Sequence, residues 1–431
     1  MNFPEPGRDS KLADGGIILK TGRLKFRRST IFLGGLLLLI GATQFLVGIT
    51  GDQPQRAWQA YLVNFMFFTG ISSGAILFVA ILNMTHARWG RPLKRLAEGL
   101  GAFLPVSFLL FWVLYAGREE IFPWIKEPVP GKEAWLHAGF LFARNGAGLF
   151  LLTVISLALI YFSVREDRRR TTPIEAAGRP AFEFLDERGE KNWRAQMILS
   201  PILGISYAVV LSLLAFDLIM SLDPHWHSTL FGAYYFIGSF YTALAALIIL
   251  SALLRKQPGF LNLIQPGHFH DLGKLLLGFC LITGDFFYSQ FLVIWYGNLP
   301  EETRYVILRV RQNPWEPLAW AVLGLCFALP FIGLLSRKIK LKPPALAVLS
   351  AVILVGMWLE RFLLIAPSLW KGQDFFLGRP EISITAGFLG LLTLSFVLFF
   401  RMFSPLPFSD PLFRKSLEEA GKISDPGIKH G

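Results

Sequence analysis

Ten separate apolar stretches, each roughly 20 residues long and so able to cross a hydrocarbon layer of about 30 Å, dominate this 431-residue chain. They fall at 31–50, 60–84, 96–116, 134–163, 195–220, 229–253, 272–297, 317–335, 343–366 and 382–401. Backbone polar groups in lipid must be satisfied within each segment, so stretches of this length read as helices. Only 17% of the residues are charged, against roughly 25% in soluble domains. The expected fold is an all-α integral membrane protein with ten transmembrane helices; a disordered chain is excluded and a soluble enzyme is not expected.

The basic excess sets the orientation. The net charge is +12, and an even number of spans puts both termini on one side. With the termini inside, inner segments carry 31 of the 42 Lys and Arg and outer loops carry 9. That bias places the N and C termini in the cytoplasm and accounts for the charge by orientation and anionic lipid, not nucleic acid. Span 1 ends in Gly48-Ile49-Thr50-Gly51-Asp52 without a small-x-small cleavage site and reads as a retained anchor. The charged stretch 165–194 reads as a solvated inner linker. The tail, with Pro405, Pro407 and Pro411, reads as extended.

Metal chemistry has few ligands to work with. Cys280 and Cys326 are too few for a four-cysteine metal site, an iron–sulfur cluster or a c-type haem attachment. Of the histidines, only His137 lies clearly in a span; His86, His225, His227, His268, His270 and His430 fall in loops, at span edges or in the tail. His225-Trp226-His227 and His268-Phe269-His270 have His-x-His spacing, for which loop hydrogen bonding or head-group contact is the expected role. No haem and no metal are expected on this chain, and there is no phosphate-cradling loop of the Walker type.

A repeat organises the spans. Gly117 and Gly297 close similar span ends 180 residues apart, each followed by a Glu pair (Glu119-Glu120 and Glu301-Glu302). Trp135 and Trp315 share that offset, while Asp217 and Glu360 lie 143 apart and Trp226 and Trp370 lie 144 apart. Spans 2–5 and 6–9 thus read as two related four-helix bundles of the same orientation, flanked by spans 1 and 10. The expected organisation is an N-terminal segment (1–30), a first helix (31–56), a first bundle (57–227), a second bundle (228–370), a tenth helix (371–403) and a tail (404–431).

Ionisable side chains at membrane depth are costly and each needs a reason. Span 4 carries His137, Arg144 and Asn145 on one face; span 5 carries Asp217 near its outer end. Span 7 carries Asp285 near its middle with Tyr288 one turn on, and span 9 carries Glu360 and Arg361 in its outer third. All lie from mid-membrane outwards. Such a set can bind a quinone head group or relay protons, and the acids can equally form structural ion pairs. The candidate proton carriers are Asp285, as the deepest, then Asp217 and Glu360; His137, Arg144, Tyr288 and Arg361 are candidate quinol or water ligands.

The segment Phe216-Asp217-Leu218-Ile219-Met220-Ser221-Leu222-Asp223-Pro224-His225-Trp226-His227-Ser228-Thr229-Leu230-Phe231-Gly232 resembles that of the ActF-type membrane subunits of bacterial alternative complex III. Trp358-Leu359-Glu360-Arg361-Phe362 resembles a span 9 motif of the same subunits and of their ActC paralogues, in the wider NrfD/PsrC-like family. The resemblance implies a cofactor-free subunit of a quinol oxidoreductase in a respiratory or photosynthetic electron-transport chain, delivering electrons to cytochrome c or a terminal oxidase. It implies partners: a homologous NrfD-like membrane subunit, an iron–sulfur subunit and c-type cytochrome subunits, which hold the iron–sulfur clusters and haems. It places the chain in the bacterial inner membrane and leaves open whether the polar cluster contacts quinol or conducts protons. A purely structural scaffold subunit and a secondary transporter are the alternatives.

Overall fold

The structure is a computed structural model describing residue 24, residues 26–169, 187–257, 260, 263–370 and 377–419. No strand occurs among the described residues. Ten helices are long and apolar enough to cross a membrane: spans 1 to 10 are Arg28–Thr50, Pro54–Met84, Arg91–Ala116, Ala138–Asp167, Glu187–Leu222, Phe231–Leu254, Pro266–Gly297, Trp315–Leu335, Pro343–Leu369 and Arg379–Met402. The all-α membrane fold expected from the sequence is the one observed. Spans 2, 7 and 9 open on Pro54, Pro266 and Pro343, where a missing N–H costs nothing and the fixed φ suits the first turn.

Span 2 is the centre of the molecule. It packs against spans 1, 3, 5, 6, 9 and 10 and is buried along almost its whole length. Spans 7 and 8 lie at the periphery, with most of their surface turned outward. Span 1 is held chiefly by span 10. Their closest approach is at Gly41, where an added Cβ would lie 2.4 Å from the Gly387 Cα. Without a hydrophobic drive between helices in lipid, such backbone-to-backbone contact supplies the dispersion that joins them.

Three inner-side expectations change. The helix of span 3 begins at Arg91, so Arg91, Lys94 and Arg95 are buried inside the protein, not spread on a lipid-facing loop. The tail is not extended throughout: Pro411–Glu419 is helical and docks on span 3 through Asp410. The reason is charge pairing, described below. Glu187–Arg194, expected in a linker, forms the start of span 5, while 170–186 lies outside the described residues.

Candidate functional site

The two buried acids 143 residues apart, Asp217 and Glu360, sit in different environments. Asp217, fully buried near the outer end of span 5, is clamped from span 4. Arg144 Nε donates to Oδ2 at 2.6 Å and Nη2 to Oδ1 at 2.5 Å, while Asn145 Nδ2 donates to Oδ2 at 2.5 Å and Trp135 Nε1 to Oδ1 at 3.0 Å. The Arg144 guanidinium also lies 3.9 Å over the Trp135 ring. Both oxygens are therefore satisfied, in the bidentate arginine–carboxylate geometry that gives strong and directional hydrogen bonding.

Glu360 has no such clamp. The 180-residue offset carries Arg144 onto Gly324, where span 8 opens into a π-turn, Gly324–Ala328. Span 9 accommodates that bulge with Gly356, where a Cβ would fall 2.8 Å from the Leu325 Cβ and 2.9 Å from the Cys326 Sγ. Glu360 and Arg361 are both 2% exposed. Arg361 Nη1 is 2.8 Å from Glu360 Oε2, yet neither Glu360 oxygen accepts a well-aligned hydrogen bond from the described residues. The Tyr234 hydroxyl stands beside the carboxylate, and Arg361 lies 4.4 Å over the Tyr235 ring. Tyr235 and Tyr207 donate their hydroxyls to the Met66 and Phe236 carbonyls, at 2.9 and 2.6 Å. Glu360 is thus a buried acid with one cation, one tyrosine and spare acceptor capacity.

A short outer helix, Pro300–Val310, closes this region from outside. Arg309 Nη2 donates to the Leu364 carbonyl at 2.9 Å and to Ser368 Oγ at 2.8 Å, pinning the helix to span 9 one and two turns above Glu360. The Arg309 guanidinium lies 3.4 Å over the Tyr305 ring, which stacks on Trp226 at 3.7 Å. Burial pushes the Tyr305 phenol up to about 12, so it stays a donor at neutral pH. The Tyr305 hydroxyl and the Trp226 and Trp370 indole nitrogens are buried without a hydrogen-bond partner among the described residues. Sequence reading missed Tyr207, Tyr234, Tyr235, Tyr305 and Arg309. Only the Trp226/Trp370 pairing in the repeat pointed towards this layer.

The other sequence candidates lie elsewhere. Asp285 and Tyr288 are exposed on the outward side of span 7 and do not join the buried cluster. Asp285 makes no hydrogen bond or ion pair with a described residue; a carboxylate left so in hydrocarbon costs about 2.5–3.5 kcal/mol on insertion scales. The expected assembly of all the candidates around Asp285 is therefore replaced by a buried centre at Glu360. The cause is rotational: Asp285 lies on the opposite side of span 7 from Phe269, Leu272, Leu276, Cys280 and Thr283, which face the protein interior. His137 is also exposed; its Nδ1 accepts the Phe140 N–H at 3.4 Å at the start of span 4. His225 and His227 are exposed on either side of buried Trp226, and His268 Nδ1 accepts the Gln265 N–H at 2.9 Å.

A second buried charge cluster, unanticipated from sequence, occupies the inner end. Arg91 Nη1 and Lys94 Nζ each donate to Asp410 Oδ2 at 2.8 Å. Arg95 pairs with Glu98 at 2.5 Å and with Asp167, and Asp167 Oδ1 accepts the Ser409 N–H at 2.7 Å. Every anion here has a cation in contact, which is the condition for burying charge at tolerable cost.

Comparison with known proteins bears on identity. Among curated proteins, none matches the chain. The model of the family described as polysulphide reductase, NrfD matches residues 48–371, from the end of span 1 to just past span 9. That range takes in spans 2 to 9 and the Asp217 and Glu360 centres. The chain belongs to the NrfD family of integral membrane proteins.

Proposed function

We propose that this chain is the cofactor-free membrane subunit of an alternative complex III-type quinol oxidoreductase in the bacterial inner membrane, and that it carries protons through Glu360. NrfD-family chains work as membrane subunits of redox complexes with iron–sulfur partners; here those partners, with c-type cytochromes, hold the clusters and haems. The observation that carries the reading is Glu360 itself: 2% exposed, with no well-aligned hydrogen bond to either oxygen. Tyr234 stands beside it, and unpaired donors of Tyr305, Trp226 and Trp370 are buried towards the outer side.

A structural acid is expected to look like Asp217, with all its lone pairs engaged. An acid that gains and loses a proton needs free acceptor capacity and a nearby cation that limits the cost of its charge. The near-complete burial of Glu360 and Arg361 beneath the described residues favours proton relay over direct quinol contact. Two surface clefts lie at the outer rim, beside Asp52 and Arg56 and along Pro300–Gln312, and neither is lined by Glu360. Quinol oxidation then takes place against a partner, and this chain serves the protons coupled to it.

The test is Glu360→Gln in the purified complex, with quinol turnover and proton release measured together. Loss of proton release with turnover retained is the expected result. Collapse of both, with assembly and cofactors intact, places Glu360 at quinol oxidation. No change in either makes it structural and overturns the proposal.

A further inference from the structure

Span 7 presents a bare seam to the outside. Gly278, Leu281, Asp285, Tyr288, Leu292 and Trp295 recur at alternating spacings of three and four residues, the heptad rhythm of a helix that packs along a partner helix. Leu281, Tyr288, Leu292 and Trp295 are 41–65% exposed, and a Cβ on Gly278 would meet nothing within 4 Å. Spans 7 and 8 are, with span 1, the least buried of the ten. Asp285 sits ten residues from Leu275 and eleven from Tyr296. At 1.5 Å per residue it is about 15 Å from either edge of the apolar stretch, at the middle of the membrane.

We infer that this seam is the docking face for a transmembrane helix of a different polypeptide, one that carries Lys, Arg or His at mid-membrane depth against Asp285. The chain's own acids in the membrane set the pattern. Asp217 has Arg144 at 2.5 Å and Glu360 has Arg361 at 2.8 Å, whereas Asp285 has no cation among the described residues. Lipid tails offer no cation at that depth. A second copy related by a two-fold axis along the membrane normal would set Asp285 against Asp285, and two like charges in low dielectric repel. A cationic helix satisfies both the seam and the carboxylate. This inference rests on burial and charge alone and does not depend on the proton-carrying role of Glu360.

The test uses the intact complex from native membranes. A photo-reactive phenylalanine analogue is placed at Leu281 or Leu292, and cross-linked peptides are sequenced. The expected product joins the seam to a single transmembrane helix of another polypeptide with Lys, Arg or His within one turn of the mid-membrane position. Asp285→Lys then lowers recovery of that partner by about tenfold, a difference of 1.4 kcal/mol, and exchange of the partner's cation for Asp restores it. Asp285→Asn, compared with Asp285→Lys for size and melting in detergent, separates lost docking from lost folding. Adducts only to a second copy, only to lipid or quinone, or to a helix without a cation overturn the inference. So does undiminished recovery with Asp285→Lys.

Discussion

A carboxylate buried in a membrane protein is stabilised by what touches its oxygens, and Asp217 and Glu360 show how much this varies within one chain. Asp217 receives hydrogen bonds from Arg144, Asn145 and Trp135. Replacing it by Asn leaves Arg144 without its counter-charge in a mostly buried site, where breaking an ion pair costs about 3–5 kcal/mol. Asp217→Asn is expected to lower the melting temperature of the purified chain substantially. Glu360→Gln also takes the counter-charge from buried Arg361 but gives up no well-aligned hydrogen bond to the carboxylate, so it is expected to lower it by less than Asp217→Asn does. Parallel melting curves in one detergent check this, and equal losses would remove the distinction between a clamped acid and a working one.

At the level of elements, the tail behaves as a plug against the ends of spans 3 and 4. Asp410 contacts Arg91 and Lys94 in span 3, and Ser409 contacts Asp167 at the end of span 4. Burial by itself would raise the Asp410 carboxyl, but Arg91, Lys94 and the hydrogen bonds from Lys94 and the Phe413 N–H hold it well below the usual carboxylate range. A depressed folded-state value contributes stability that is fully present above the ordinary aspartate value of about 3.9 and is lost as pH falls towards the lower folded value. The contribution of Asp410 to tail docking is thus expected to be constant from neutral pH down to about pH 4 and to weaken only below it. Asp410→Asn is expected to loosen the tail at every pH. Protease sensitivity of 404–419 measured against pH checks both, and a titration of docking between pH 5 and 7 would contradict the first.

The whole molecule is asymmetric in how it uses its surface. Span 2 is enclosed by its neighbours, whereas spans 7 and 8 turn most of their residues outward. Such a chain is built to be one part of a larger assembly, in agreement with its membership of a family of complex subunits. The even span count and the basic bias put residues 118–135 outside and 401–419 inside. A single Cys at Glu133, in a variant lacking Cys280 and Cys326, is expected to react with a membrane-impermeant thiol reagent in intact cells whose outer face is accessible. A Cys at Ser404 is expected to react only after the membrane is opened. The reverse labelling would invert every statement about the outer half.

The ten spans and the acids that interrupt them were legible from residues alone, because hydropathy depends on composition along the chain and not on neighbours. Which way each side chain points around its helix was not legible. A long apolar helix reads much the same from every side, so Asp285 looked deepest by position along span 7 while its rotation turned it out of the protein. Partners far apart in sequence were hidden for the same reason: Arg144 with Asp217, Arg309 with Ser368, and Arg91 with Asp410 meet only when helices pack. Sequence determined where charge enters the membrane; tertiary structure alone decided which of those charges are neutralised within the chain, since neutralisation requires atoms from two helices to come within about 3 Å of each other.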